Sequence, residues 1–139
     1  MCGRRAERLA LAGELGAHGV WGSLQGVPLA DVVVECAGTE QSWQEAAMQA
    51  APGGQVLLFG GCPAGSRASF DATRLHYEEL LLQGVFHYTP DDVRVAHDLI
   101  CNSDLPLERL ISGGAALSDL LEVMERLDQR DGLKFVVRP

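Results

Sequence analysis

An α/β fold built on a parallel sheet is the class this sequence predicts, and three observations carry the prediction. In PGGQVLLFGG, Pro52 to Gly61, turn residues flank an unbroken apolar run from Val56 to Phe59, the pattern of a strand covered on both faces. DVVVEC, Asp31 to Cys36, supplies a second run in which Val32, Val33 and Val34 are all β-branched. Between them lies a helical pattern, so strand, helix and strand follow within about thirty residues, as in a right-handed βαβ unit. Ligands of such sheets sit beyond the carboxyl ends of the strands. Here those ends are Gly38 and Gly60-Gly61, where no side chain blocks a close approach.

Each remaining element has its own local reason. From Arg5 to Leu15 the spacing of Leu9, Ala12 and Leu15 marks one helical face, with Gly16 as the stop and Gly13 a slight weakness. His18 to Trp21 is a short candidate strand, and Gly22 to Ala30 reads as a polar loop. After Gly38, Thr39 caps a helix whose Trp43, Ala46, Ala47 and Ala50 share a face until Pro52 ends it, so Trp43 reads as a packing residue. The loop CPAGSRAS leads to a helical stretch, Phe70 to Glu78, and then to a third apolar run, Leu80 to Phe86. Thr89-Pro90-Asp91-Asp92 is a strong helix start, with a cap, a proline in the first turn and acids at the positive end of the dipole. Val93, Ala96, Leu99 and Ile100 give that helix its apolar stripe. Leu107 to Ile111 is a short apolar segment, Ser118 caps a helix carrying Leu120, Leu121, Met124 and Leu127, Gly132 stops it, and Leu133 to Val137 is a last strand.

Composition bounds the function. A chain of 139 residues with 47% hydrophobic residues fits one domain with a real core, and no repeat, low-complexity tract or linker divides it. A net charge of -8 and eleven scattered basic residues (Lys+Arg 11) argue against a nucleic-acid surface. No apolar run approaches the roughly 18 to 20 residues that span a bilayer, and no signal-peptide core follows Arg5; the expected compartment is the cytoplasm. Cys2, Cys36, Cys62 and Cys101 lie far apart without a C-x-x-C pair or a histidine at ligand spacing, which reads as reduced, mostly buried thiols and no metal site.

The segments ERLALAGELGA, ADVVVECAGTEQSWQEA, PGGQVLLFGGCPAG, LHYEELLLQGVF and LPLERLI, with GLKFVV at the end, together resemble the zinc-dependent, medium-chain alcohol dehydrogenase family, from about Arg5 to Val137. The resemblance implies a partial Rossmann-like parallel sheet flanked by helices and lacking its first two strands. It places a truncated NAD(P)-binding domain in residues 1–87, and in 88–139 the helices and final strand that return toward a catalytic domain this sequence does not contain. In that family a zinc-bound alcohol gives hydride to NAD or NADP, and the substrates are small alcohols and aldehydes. Carried over by position, Cys36, Ala37 and Gly38 match the turn beside the adenosine half of the cofactor, and Phe59, Gly60 and Gly61 the turn beside the nicotinamide. Val85, Phe86 and His87 match the segment whose backbone meets the carboxamide, and Lys134 a cation that reaches the pyrophosphate. No catalytic residue and no metal ligand carries over, because both belong to the absent domain.

Departures from the family set further expectations. The G-x-G-x-x-G that brings pyrophosphate to a helix N-terminus is missing, and Gly60-Gly61 with Gly65 has the wrong spacing. The ribose-binding acid is missing too; Gly3 stands about where it belongs, beside Arg4 and Arg5, which favours NADP unless these residues are simply a frayed terminus. The family strand order leaves Ala17 to Trp21 without partners on either side and Asp31 to Cys36 with an open edge. The chain alone is therefore expected to be inactive, to bind NAD(P)H poorly and to self-associate, with the Leu80 to Phe86 edge offering a homo-oligomer contact.

The other polar residues have plainer readings. His76-Tyr77 is a structural pair, His18 and His97 are packing or solvent residues, and His87 stands nearest the cofactor through its backbone. Cys62 would be reactive only if a helix N-terminus lowered its pKa, and otherwise packs. Glu78-Glu79 and Asp91-Asp92 read as a solvated turn and a helix start. Two other functions fit the pattern: a non-catalytic dimerisation or binding module, and a Rossmann-like S-adenosylmethionine methyltransferase, which places an antiparallel strand near its end.

Overall fold

The computed structural model describes residues 1–139. Strands β1 (Ala30–Glu35), β2 (Ala50–Leu58) and β3 (Leu81–Gly84) form one sheet in the order β1-β2-β3, parallel throughout. Val34 pairs with Leu57, Glu35 with Leu58 and Leu58 with Gly84, so the three carboxyl ends lie at one level. The α/β class and the parallel direction are as the apolar runs predict.

Helix α2 (Glu40–Met48) returns the chain from β1 to β2. Thr39 caps it by accepting from Ser42 N, while the Ser42 hydroxyl accepts from Thr39 N, so two donors of the first turn are satisfied reciprocally. Its alanines let the helix lie close to β2, and Ala46, Ala50, Val56 and Leu58 form the buried core, flanked by Val33, Trp43, Leu80 and Leu82. The core sits on one face only. Val33, Glu35, Val56 and Leu58 alternate inward, while Val32, Val34 and Leu81 on the other face are more than half exposed. This corrects the expectation that the apolar runs are covered on both faces; the core is real but one-sided. An unbroken apolar run gives strand character, but cover depends on helices packed on each side, and here α2 packs on one. Strand β1 has β2 as its single neighbour in the sheet, leaving its other edge open, as expected.

Pro52, Gly53 and Gly54 fall inside β2 instead of before it. The register jumps there, from Ala30 opposite Ala50 to Val32 opposite Gln55, and Gly53 takes φ +76 while its N–H donates to Glu78 O at 2.6 Å. Helix α3 (Ala72–Tyr77), capped by Asp71, leads into β3.

The N-terminal residues are paired, not frayed. Cys2 bridges Trp21 in parallel, Gly3 N donates to Trp21 O and Trp21 N to Met1 O, both at 3.0 Å, so the residues at Trp21 are not partnerless. Helix α1 (Ala6–Glu14) follows, and Gly16, at φ +100, stops it. Arg5 and Arg8 donate to the carbonyls of Arg130 and Gly132, and Arg109 pairs with Glu14, so α1 is tied to the far end of the chain.

Helix α4 (Pro90–Asn102) opens on the expected cap. Asp92 accepts from Thr89 N at 2.6 Å and from the Thr89 hydroxyl at 2.8 Å, and these bonds, backbone first, hold its carboxyl below the usual aspartate range. A lowered folded-state value means that the cap stabilises above the unfolded-state pKa and is lost as pH falls through the folded one. Thermal melts from neutral into acid pH should show this loss in the wild-type chain, and Asp92→Asn should remove that component; an unchanged acid limb would refute it.

Strand β4 (Ile111–Ala116) pairs in parallel with β5 (Lys134–Arg138) in a separate two-stranded sheet, with α5 (Leu120–Asp128) between them. Two expected helix signals are displaced. Ser118 lies in a short 3-10 turn and bonds the Asp119 side chain without capping α5, whose N-cap is Asp119. The turn after α5 is closed at Arg130, φ 60, before Gly132 is reached, because Asp131 N already bonds back to Arg126 O. The thiols also differ from expectation: all four are free, but Cys2, Cys36 and Cys101 are exposed and Cys62 is half-buried. No helix is long and apolar enough to cross a membrane.

Candidate functional site

Two backbone turns meet at the carboxyl edge of the sheet. The first, Cys36-Ala37-Gly38, leaves β1 and ends at Gly38 with φ +69; the second, Phe59-Gly60-Gly61, leaves β2. Glu35 O accepts from Phe59 N at 2.9 Å and Gly60 N at 2.8 Å, which brings the second turn under the first. A Cβ placed on Gly38 would lie 2.5 Å from Gly61 O, and one placed on Gly60 would run into Gly38 N. Glycine is required at both positions because the two main chains touch.

Side chains hold this contact from below. Glu35 is buried; its Oε1 accepts from Ala37 N at 2.6 Å and from Gly38 N at 3.0 Å, while Oε2 is buried with no partner. Trp43 donates its indole N–H to Gly60 O at 2.8 Å. It packs against the core, as expected, and also fixes the second turn. Beside that turn opens a cleft of about 460 Å³ whose walls include Glu40, Trp43, Gly61, Cys62, Gly84 and Phe86. The loop after Gly61 is pinned to α2 by Arg67 N donating to Glu40 Oε1 at 2.8 Å.

Among the residues singled out from sequence, Gly38, Phe59, Gly60 and Gly61 come together at this rim, with Cys36 and Ala37 exposed on the first turn. Gly61, Val85 and Phe86 line the same cleft, and the exposed His87 ring lies 4.3 Å from that of Phe86. Lys134 stands apart, in the β4–β5 sheet opposite Ile111. Glu35 was not singled out. The available signal was an acid two residues beyond Val33 in a strand, which places it on the buried face.

The rim presents main chain and thiols that nothing activates. Burial first, then the charges of Glu35 and Glu40, push the Cys62 thiol up; burial and Glu35 do the same to Cys36. Both thiols are therefore held away from the thiolate form, opposite to the activated state considered for Cys62. No three His, Cys, Asp or Glu side chains gather into a group able to hold a metal ion, so these residues do not fit a zinc centre. The dinucleotide fits better. Cβ atoms built on Gly61 and Gly84 would meet nothing within 4 Å, leaving backbone open to a ligand along the cleft.

A parallel three-stranded sheet with α2 packed on one face and glycine turns at its carboxyl edge is the arrangement of a Rossmann-like domain. Residues 2–102 match the family model described as zinc-binding dehydrogenase, and the chain belongs to that family. A protein of Arthroderma otae named as a probable D-xylulose reductase is 28% identical over 108 residues, 78% of this chain and 30% of the relative. A Sinorhizobium meliloti structure, described as a zinc-binding dehydrogenase bound to NADP, superposes with a TM-score of 0.90 at 25% identity, over 99% of this chain and 44% of that one. The benzyl alcohol dehydrogenase of Acinetobacter calcoaceticus shares the fold, with a TM-score of 0.81 at 19% identity over 98% of this chain and 41% of that one. The chain thus spans less than half the length of these relatives.

Proposed function

We propose that this chain is the cofactor-side portion of an NAD(P)-dependent, zinc-dependent alcohol or polyol dehydrogenase, with residues 1–87 carrying the cofactor edge and 88–139 returning toward a catalytic domain. The single observation that carries the reading is the backbone contact between Gly38 and Gly60-Gly61 at the carboxyl edge. NAD(P) would supply hydride acceptance and donation. The chain's residues would bind and orient it: Cys36, Ala37 and Gly38 beside the adenosine half, Phe59, Gly60 and Gly61 beside the nicotinamide half, and the backbone of Val85, Phe86 and His87 at the carboxamide. Lys134 would reach the pyrophosphate from the second sheet. The reductase relative supports a small polyol or its carbonyl partner as substrate. Arg5 is engaged with Arg130 O, whereas Arg4 is exposed and has no hydrogen-bonding partner, which supports NADP over NAD.

Zinc does not fit the residues present, so no step is assigned to it, and the chain alone is inactive in this reading. Titration of the chain with NADPH, followed by amide resonances, should move Gly38, Gly60 and Gly61 saturably with a Kd weaker than about 0.1 mM. S-adenosylmethionine should not compete. Its competition, or shifts confined to other surfaces, would overturn the cofactor reading, and tight stoichiometric binding by a monomer would overturn the incompleteness. The parallel β4–β5 pair already weighs against the methyltransferase, which needs an antiparallel strand there. An assembly module is favoured by one observation, the unpaired outer edge of β3, the terminal strand of its sheet. Gel filtration showing a dimer with no NADPH response would support it.

A further inference from the structure

Glu35 is a charged side chain only 5% exposed, and nothing cationic pairs with it. Burial of a carboxylate disfavours the fold unless hydrogen bonds compensate, and here Oε1 has two donors while Oε2 has none. The neighbouring titratable groups that feel its charge are the thiols of Cys36 and Cys62, neither of which it activates. Its position explains what a plain turn residue would not. The side chain grips Ala37 N and Gly38 N of the first turn, and the main-chain carbonyl grips Phe59 N and Gly60 N of the second. Oε2 lies against the second turn as well, 2.7 Å from where a Gly60 Cβ would stand. One residue therefore holds both turns.

We propose that Glu35 is a positioning residue whose buried carboxylate fixes the separation of the Cys36–Gly38 and Phe59–Gly61 turns, so that a dinucleotide meets both turns at once. The proposal rests on the cofactor reading above for its ligand, but the coupling of the turns stands on geometry: the carboxylate's two bonds to the first turn, the carbonyl's two to the second, and the closeness of Oε2 to Gly60. Loosening the coupling leaves each turn able to meet its own half of a ligand. What is lost is the preorganisation that lets one rigid span engage both.

The test uses the whole chain and Glu35→Gln, which keeps the shape but sets an amide N–H₂ either against the N–H donors of Ala37 and Gly38 or in the buried Oε2 position, where nothing accepts its hydrogens. Amide hydrogen exchange should accelerate at least about tenfold at Ala37 and Gly38 and equally at Phe59 and Gly60, with Val56 in the middle of β2 unchanged as the control for folding. Acceleration confined to Ala37 and Gly38 would show a local turn cap and overturn the proposal. Gly60→Ala, which forces the turns apart from the other side, should give the same four-site pattern and decides the matter if the glutamine variant does not fold. With NADPH and its adenosine bisphosphate half as probes, E35Q should weaken NADPH by about tenfold and leave the half-ligand within about twofold. Equal weakening of both, or of neither, would overturn the link to the cofactor. A wild-type chain that binds neither probe would reject the cofactor reading itself, while the exchange pattern would still decide the coupling.

Discussion

Gly38→Val is expected to destabilise the chain by about 3 kcal/mol or more, from two separable effects. Gly38 takes φ +69, where an L-residue costs about 1–2 kcal/mol and a β-branched one fits worst. The new Cβ would also lie 2.5 Å from Gly61 O and 3.1 Å from the carbonyl carbons of Gly60 and Gly61. Those atoms are backbone and cannot rotate away, so the turns must separate, and overpacking of this kind costs about 1–3 kcal/mol. Gly65 provides the internal control. Its φ is +87, but nothing lies within 4 Å of its Cβ position, so Gly65→Val carries the backbone penalty alone. Urea unfolding of the two variants with unchanged m-values should put Gly38→Val lower by the overpacking difference. Equal midpoints would mean that the turns do not touch, and the candidate rim would lose its geometric basis.

The shared rim, though not the contact of the two main chains, was legible in the sequence because it follows from sheet direction. Two β-branched or leucine-rich runs joined by a helix must lie parallel, and parallel strands put Gly38 and Gly61 at the same rim. Caps were legible for a similar reason: Thr39 and Thr89 have a donor-accepting side chain three residues ahead of a partner that can reciprocate. What escaped depends on neighbours distant in sequence. Whether Val32 and Val34 are covered is decided by helices on their face, and a run of valines carries no record of them. Strand β4, Ile-Ser-Gly-Gly-Ala-Ala, has little β propensity of its own; Gly113 sits opposite Phe135, whose ring occupies the space a larger side chain would need. Glu35 escaped because an acid after three valines looks like the exposed end of a strand, although its alternation with Val33 turns it inward. Lys134 was placed by resemblance, and its membership of the second sheet is a matter of tertiary arrangement that local spacing does not encode.

Arg74→Ala is expected to cost about 2–3 kcal/mol, a large effect for a residue outside the apolar core. Its Nη1 donates to Met48 O at 2.9 Å and its Nη2 to Ala50 O at 2.8 Å, while Nε and Nη2 grip Glu78 Oε2 at 2.9 and 2.6 Å. Met48 ends α2, so the guanidinium satisfies carbonyls that a helix C-terminus leaves open and stands at the negative end of its dipole. Ala50 is fully buried, with 0% exposure, so its carbonyl would have little water to replace the lost donor. Glu78 is held in turn, and its carbonyl takes Gly53 N at the bulge of β2. One side chain therefore joins the end of α2, the start of β2 and the end of α3. The Arg74–Glu78 pair is half-buried and still reached by solvent, and such a pair near the surface is worth about 1 kcal/mol, so most of the expected loss belongs to the carbonyls. Arg74→Lys should recover only a minor part, because a single ammonium cannot span Met48 O, Ala50 O and Glu78 together. The Glu78 carboxyl lies below its usual range, first through the hydrogen bond from Arg74, so its contribution is present above the unfolded-state pKa and fades as pH falls through the lower folded value. The gap between wild type and Arg74→Ala should therefore narrow in acid but not close, since the carbonyl bonds do not titrate. A gap that vanishes with Glu78 protonation would assign the whole effect to the ion pair and refute the carbonyl account.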